Sequence, residues 1–160
     1  MNEKPTLPKC VIYTDGAYSH QYGIGGWAWV HMERGTGKIA SFMETGYTYN
    51  TTSNRMEMTA AIKALEFLPS ASDIFMYTDS KYLQQGFDLW MHNWKKSGWK
   101  TSSKEPVKNQ DLWEILLQLK SRHIISMRWV KGHSGHHGNE LVDRLAKEAV
   151  GKGKIMLQYR

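Results

Sequence analysis

The chain of 160 residues has one cysteine, four prolines and no apolar run long enough to span a bilayer. A single cysteine, Cys10, excludes an intrachain disulfide and a cysteine zinc site. Its place at the start of an apolar run predicts a buried thiol. The opening MNEKPTLPK lacks the apolar stretch of a signal peptide, so the cytoplasm is the expected compartment. Acids are scarce: 15 Asp and Glu stand against 21 Lys and Arg, a net charge of +6. That balance favours a polyanionic partner, nucleic acid first and an acidic membrane surface second. A merely soluble basic protein is the bland alternative. No linker, long repeat or low-complexity segment divides the chain. One domain over residues 10–150 is expected, with a loose arm at 1–9 and a basic tail at 151–160.

What the sequence does have is a change of hydrophobic period. Strands are predicted at 10–15, 27–32 and 39–48, joined by a turn at Gly23, Gly25 and Gly26 and a hairpin turn at 33–37. Such short connections favour an antiparallel meander. A helix follows over 54–68 with Ser53 as N-cap. A strand at 74–78 comes next, then helical patterns broken at Gly86 and Gly98, a helix at 111–121, a strand at 124–130 and a last helix at 139–150. Helices between the last two strands imply a parallel crossover. The expected class is α/β: a five-stranded mixed sheet flanked by helices.

Two strands end alike, in YTDG at 13–16 and YTDS at 77–80. Ligands of open α/β sheets bind beyond the carboxyl ends of the strands, so Asp15 and Asp79 sit where chemistry is expected. Taken singly, each acid reads more simply as a turn or cap residue. A third acid changes the balance. On a helical wheel Glu57 falls among Ala60, Ala61, Ala64 and Leu68, while Arg55, Lys63 and Glu66 gather opposite. A carboxylate on the packed face needs an arginine, a proton or a metal. Convergence of Asp15, Glu57 and Asp79 would suit Mg²⁺ or Mn²⁺ rather than Zn²⁺. Asp143 groups with Asn139 and Lys147, and an i,i+4 pair with Lys147 explains it as surface. His133, His136 and His137 could form a zinc site, although no HExxH pattern supports one.

Residues 90–108 interleave Trp90, Trp94 and Trp99 with Lys95, Lys96, Lys100, Lys104 and Lys108 against Glu105. This fits a phosphate-binding surface, or a solvated charged face whose tryptophans are helix-packing core.

In order and spacing, these segments resemble the type 1 ribonuclease H family of bacteria. The resemblance is carried by YTDG at 13, GIGG at 23, TTSNRMEMTAAIKALE from 51 and YTDS at 77. It continues with WMHNWKKSGWK from 90, PVKNQDLW from 106 and WVKGHSGHHGNELVDRLAKEA from 129. It implies hydrolysis of the RNA strand of RNA–DNA hybrids to 3′-hydroxyl and 5′-phosphate ends. Asp15, Glu57, Asp79 and Asp143 match the family's metal-binding carboxylates, which reverses the surface reading of Asp143. His133 matches a mobile histidine of proton transfer or product release. Two Mg²⁺ ions, replaceable by Mn²⁺, are implied. Asp15 would bridge both, Glu57 and Asp79 would share one, and Asp143 would hold the other.

The same resemblance makes Trp90, Trp94, Lys95, Lys96, Trp99 and Lys100 part of a protrusion that grips the DNA strand. Thr52 and Asn109 match positions on a DNA phosphate, and Asn54 one that contacts bases in the minor groove. Backbone at Gly16 and Ala17, with Glu57, would read the 2′-hydroxyl. The expected partner is a hybrid duplex, bound by a monomer, with no membrane. The loop Ser19, His20, Gln21, Tyr22 and Ile24 departs from the family's usual GNPGPGG, as do Ser53 and Lys81 from Asn and Gln. An unchanged metal site with altered affinity or cleavage preference is therefore expected. A non-cutting binding module and a DNA-cutting nuclease of the same fold are the competing readings.

Overall fold

The computed structural model describes residues 6–32, 39–132 and 136–159. The predicted turn at 33–37 and His133 lie outside them. Five strands form one sheet in the order β3-β2-β1-β4-β5. They are β1 (Lys9–Ser19), β2 (Ile24–Met32), β3 (Ile39–Tyr49), β4 (Asp73–Thr78) and β5 (Ile124–Trp129). β1, β2 and β3 pair antiparallel, and β1–β4 and β4–β5 pair parallel, so the expected mixed sheet is the one observed. Its helices are α1 (Ser53–Phe67), α2 (Lys81–Gln85), α3 (Met91–Lys96), α4 (Gln110–Arg122) and α5 (His137–Leu157). No helix among the described residues is long and apolar enough to cross a membrane.

Alternation along the strands divides the core in two. Cys10, Ile12, Trp27 and Trp29 join α1, α4 and the buried Trp113 on one face of the sheet. Ala28, Val30 and Met32 meet Val142 and Ala146 of α5 on the other. Cys10 is buried and free, as its apolar neighbours predict.

Several boundaries differ from the sequence reading, each for a local reason. Thr52, not Ser53, caps α1: its extended backbone lets its hydroxyl accept from the Arg55 N–H at 3.2 Å. Only Gly23 belongs to the first turn. Gly25 and Gly26 lie within β2, pinched between Met56 of α1 and the Ala146 and Val150 backbone of α5. Gly86 does not break its helix. A π-helical turn, Gly86–Trp90, links α2 to α3. There a Cβ on Gly86 would strike the Trp113 ring, and Lys120 donates to the Phe87 carbonyl at 3.0 Å. α5 continues past residue 150, because Gly153 packs on Ile24 and Tyr47 while Tyr49 donates its hydroxyl to the Gly153 carbonyl at 3.1 Å.

Candidate active site

Asp15 is not at the end of its strand. β1 runs four residues further along β2, from Gly16 to Ser19, but its pairing with β4 stops at Tyr13–Tyr77. Asp15 therefore lies just beyond the point where β4 gives out, and Asp79 follows the last residue of β4. Ser80 takes the capping role, accepting from the Leu83 N–H at 3.0 Å.

Glu57 arrives from α1 on the opposite side of Gly16. By alternation Asp15 shares a side of β1 with Val11, Tyr13 and Ala17, which pack toward α5, whereas Gly16 faces α1. A Cβ at Gly16 would stand 2.6 Å from the Glu57 backbone nitrogen and 2.7 Å from the Met56 carbonyl carbon. The missing side chain lets helix and strand close up, and this brings Glu57 to Asp15. One carboxylate oxygen from each of Asp15, Glu57 and Asp79 falls within 4.8 Å of the other two.

The electrostatics of this cluster are those of acids buried close to one another. Asp15 is 2% exposed and Glu57 7%. Burial first, then the Asp79 charge, pushes the Asp15 carboxyl up to about 8, against hydrogen bonding from Glu57 and the Gly16 N–H. Burial, then Asp15 and Asp79, hold Glu57 well above the ordinary carboxylate range. The Gly16 N–H donates to Asp15 Oδ1 at 2.9 Å, while Glu57 Oε2 is buried without a hydrogen-bond partner among the described residues. An unpaired buried carboxylate oxygen is costly. A divalent cation with oxygen ligands fits this set: hard donors, no thiol, and an orphan buried oxygen on Glu57.

Asp143 stands at the margin. Its Oδ2 accepts from Lys147 at 3.0 Å, the i,i+4 pair expected from the pattern, yet its charge also acts on Asp15. It comes from α5, so the site draws acids from both faces of the sheet. His133 is outside the described residues, but Gly132 beside it approaches Asp79: a Cβ there would lie 3.4 Å from Oδ2. His136 and His137 are exposed. Among the described residues, the His, Cys, Asp and Glu atoms that gather closely enough for a metal are those of the three acids.

The sequence reading grouped Asn139 with Asp143 and Lys147 on the side of the last helix taken as surface, and the structure buries it. It is 2% exposed in the first turn of α5, and its side-chain oxygen has no partner among the described residues. Its i,i+4 relation to Asp143 was the available signal.

The second region lies on the α1–α4 face. A cavity of about 720 Å³ is lined by Asn54, Tyr82, Trp90, Trp94, Lys108 and Asn109, among others. Trp90, Trp94 and Trp99 are half-buried; Lys95, Lys96 and Lys100 are exposed. Trp90 and Trp94 lead in a series of tilted ring contacts to Trp113, with centroids 5.8 and 5.9 Å apart, so the tryptophans serve as core and surface together. Arg55 binds Asp111 through two hydrogen bonds of 3.0 and 2.7 Å and donates to Asn109 Oδ1 at 3.3 Å. Asn109, in the left-handed region at φ 62°, donates in turn to the Tyr82 hydroxyl at 3.0 Å. Thr52 and Asn54 stand exposed at the N-terminus of α1, whereas Gly16 and Ala17 lie near the acids. Lys81 rests over the Trp129 ring at 4.7 Å.

Comparison with known proteins agrees with this architecture. The family model for RNase H matches residues 8–151. Ribonuclease H of Francisella philomiragia is 49% identical over 140 residues, covering 88% of this chain and 90% of that protein. Ribonuclease H of Francisella tularensis subsp. novicida is 48% identical over 142 residues, covering 89% and 91%. The crystal structure of LC9-RNase H1, a type 1 RNase H with the type 2 active-site motif, superposes with a TM-score of 0.79 at 30% identity. That match covers 94% of this chain and 75% of LC9-RNase H1. LC11-RNase H1, solved in complex with RNA/DNA hybrid, shares the fold with a TM-score of 0.68 at 21% identity, over 90% and 98% of the two chains. With buried acids converging at the mouth of a matching sheet, the chain belongs to the ribonuclease H family, in its type 1 branch.

Proposed function

We propose that the protein is an endonuclease that hydrolyses the RNA strand of RNA–DNA hybrids, leaving 3′-hydroxyl and 5′-phosphate ends. The observation that carries this reading is the convergence of Asp15, Glu57 and Asp79 with an unpaired buried oxygen on Glu57. Divalent metal, as two Mg²⁺ ions or Mn²⁺ in their place, supplies Lewis acidity for the attacking water and the leaving 3′ oxygen. Asp15, Glu57 and Asp79 would hold it, with Asp143 as the fourth ligand.

The chain's own contribution is preorganisation. Asp15 is fixed by the Gly16 N–H and set on a paired strand. Glu57 rides on a packed helix and Asp79 on the end of β4. None of these carboxylates needs to become a nucleophile, so no covalent enzyme intermediate forms. His133 would carry protons or aid product release; Gly132, the residue before it, lies beside Asp79. Lys95, Lys96 and Lys100, with Trp90, Trp94 and Trp99, would hold the DNA strand. Thr52 and Asn109 would hold one of its phosphates, and Asn54 would meet the bases. Gly16 and Ala17 would read the RNA 2′-hydroxyl through their backbone. A hybrid duplex is the partner, a monomer the acting form and the cytoplasm the compartment.

The test uses end-labelled hybrid beside matched double-stranded RNA and DNA, with Mg²⁺ or EDTA. Cutting of the RNA strand of the hybrid, only with metal and with 5′-phosphate products, is expected. Salt-sensitive binding without cutting in Mg²⁺ or Mn²⁺ would replace the reading by a binding module. Cutting of duplex DNA would replace it by a DNA nuclease.

A further inference from the structure

α5 carries a stripe of residues that the hybrid contacts above do not use. Asp143, Lys147, Val150 and Lys154 recur at four- and three-residue steps, so they share one side of the helix. They form one wall of a groove of about 430 Å³ whose other wall is the end of β1, Gly16–Ser19. The groove begins at the acids and runs away from them on the sheet face opposite Trp90 and Asn109. From Asp143 to Lys154 it follows about 16 Å of helix, the axial rise of roughly five nucleotides of one strand.

Its charge is graded along that length. Near the acids Lys147 is neutralised by Asp143 at 3.0 Å. At the far end no carboxylate among the described residues pairs with Lys154, whose ammonium lies 4.9 Å from the centre of the half-exposed Tyr22 ring. A cation–π contact holds an ammonium in place without consuming its charge. The extension of α5 past residue 150 is what brings Lys154 to the β1–β2 turn. There Tyr22 belongs to the loop that departs from the family's usual sequence.

We infer that this groove binds the sugar–phosphate backbone of the RNA strand a few nucleotides from the cut, with Lys154, steadied by Tyr22, as its phosphate contact. The strand assignment follows from connectivity. The β1 wall of the groove continues the segment that carries Asp15, so a strand whose phosphate lies on Asp15 runs on into it. This inference rests on the proposed hybrid-cutting function, and the experiment separates the two.

Wild type, Lys154→Ala, Lys154→Arg and Tyr22→Leu are compared for KM, kcat and the salt dependence of hybrid binding in EDTA. Lys154→Ala should raise KM about three- to tenfold with kcat within twofold, and lower the slope of log K against log salt by about one. Lys154→Arg should keep the wild-type slope, and Tyr22→Leu should raise KM less than Lys154→Ala. On hybrids scanned with neutral methylphosphonate linkages, the Lys154→Ala effect should disappear at one RNA-strand position two to five nucleotides from the cut. It should persist when the neutral linkages are in the DNA strand. Unchanged KM and slope overturn the inference, as does an effect abolished only by neutral DNA linkages. A lowered Tm with an unmoved slope would reduce Lys154 to a structural role. A wild type that fails to cut the hybrid at all would instead defeat the parent proposal.

Discussion

Two regions of this molecule handle charge in opposite ways. At the end of the sheet, Asp15 and Glu57 are buried against each other beside Asp79, all three on rigid elements. Between 90 and 108, lysines stand in water on short helices and loops, with half-buried tryptophans beneath. The first arrangement stores unfavourable free energy that a metal would relieve. The second stores almost none, because solvated ammonium groups cost little until phosphates displace their counterions. Under the proposed function, chemistry depends on the first region and grip on the second, so perturbations should split cleanly between kcat and KM.

The largest effect should come from Asp15→Asn. A group holding metal contributes several kcal/mol to the transition state, so kcat should drop on the order of 10³-fold or more. The same variant should raise the metal-free Tm by roughly 2–6 °C, because Asn can be buried there without the proton uptake that the Asp15 carboxyl requires. Activity within tenfold of wild type would remove Asp15 from the metal site.

Gly16→Ala attacks the geometry instead of the charge. The added methyl must push α1 from β1 by several tenths of an ångström, at a cost of about 1–3 kcal/mol. Thermal unfolding should show that loss. kcat should fall more than KM rises, since Glu57 moves and the lysines do not.

Lys95→Ala combined with Lys96→Ala should do the reverse. KM is expected to rise several-fold with kcat nearly kept, and the salt slope of binding should shrink by about two. A flat salt response in the wild type would break the comparison from this side.

The last effect, read in stability and not in turnover, is a pH dependence of the metal-free protein. Folding raises the Asp15 carboxyl from its ordinary 3.8 to about 8 and moves Glu57 upward as well. The folded state thus binds more protons than the unfolded chain across that window. Stability is fully present below the unfolded value and is lost as pH rises through the folded one. The Tm advantage of Asp15→Asn over wild type, without metal, should therefore widen between pH 5 and pH 8. Calorimetry at several pH values checks this, and saturating Mg²⁺ should close the gap.

The amino-acid sequence by itself determined the class of the fold, through the change from strand to helix period and the short early connections. It also marked Glu57, because a carboxylate among Ala60, Ala61 and Ala64 has few explanations, and it ended two predicted strands on acids. Periodicity reports which side of an element is packed, not what that side meets. That Asp15 lies in mid-strand, beside the place where β4 stops, follows from the pairing of strands far apart in sequence. That Gly16 brings helix and strand together, that Gly25 and Gly26 are pinched between two helices, and that α5 runs on to Leu157 are matters of contact across the sheet. Asp143 is the clearest case. Its local pattern gave the pair with Lys147, which forms, while its action on Asp15 arises only because α5 packs on the other face of the same strand. Local interactions are written in neighbouring residues; the convergence of charges from both faces of a sheet exists only once the sheet is built.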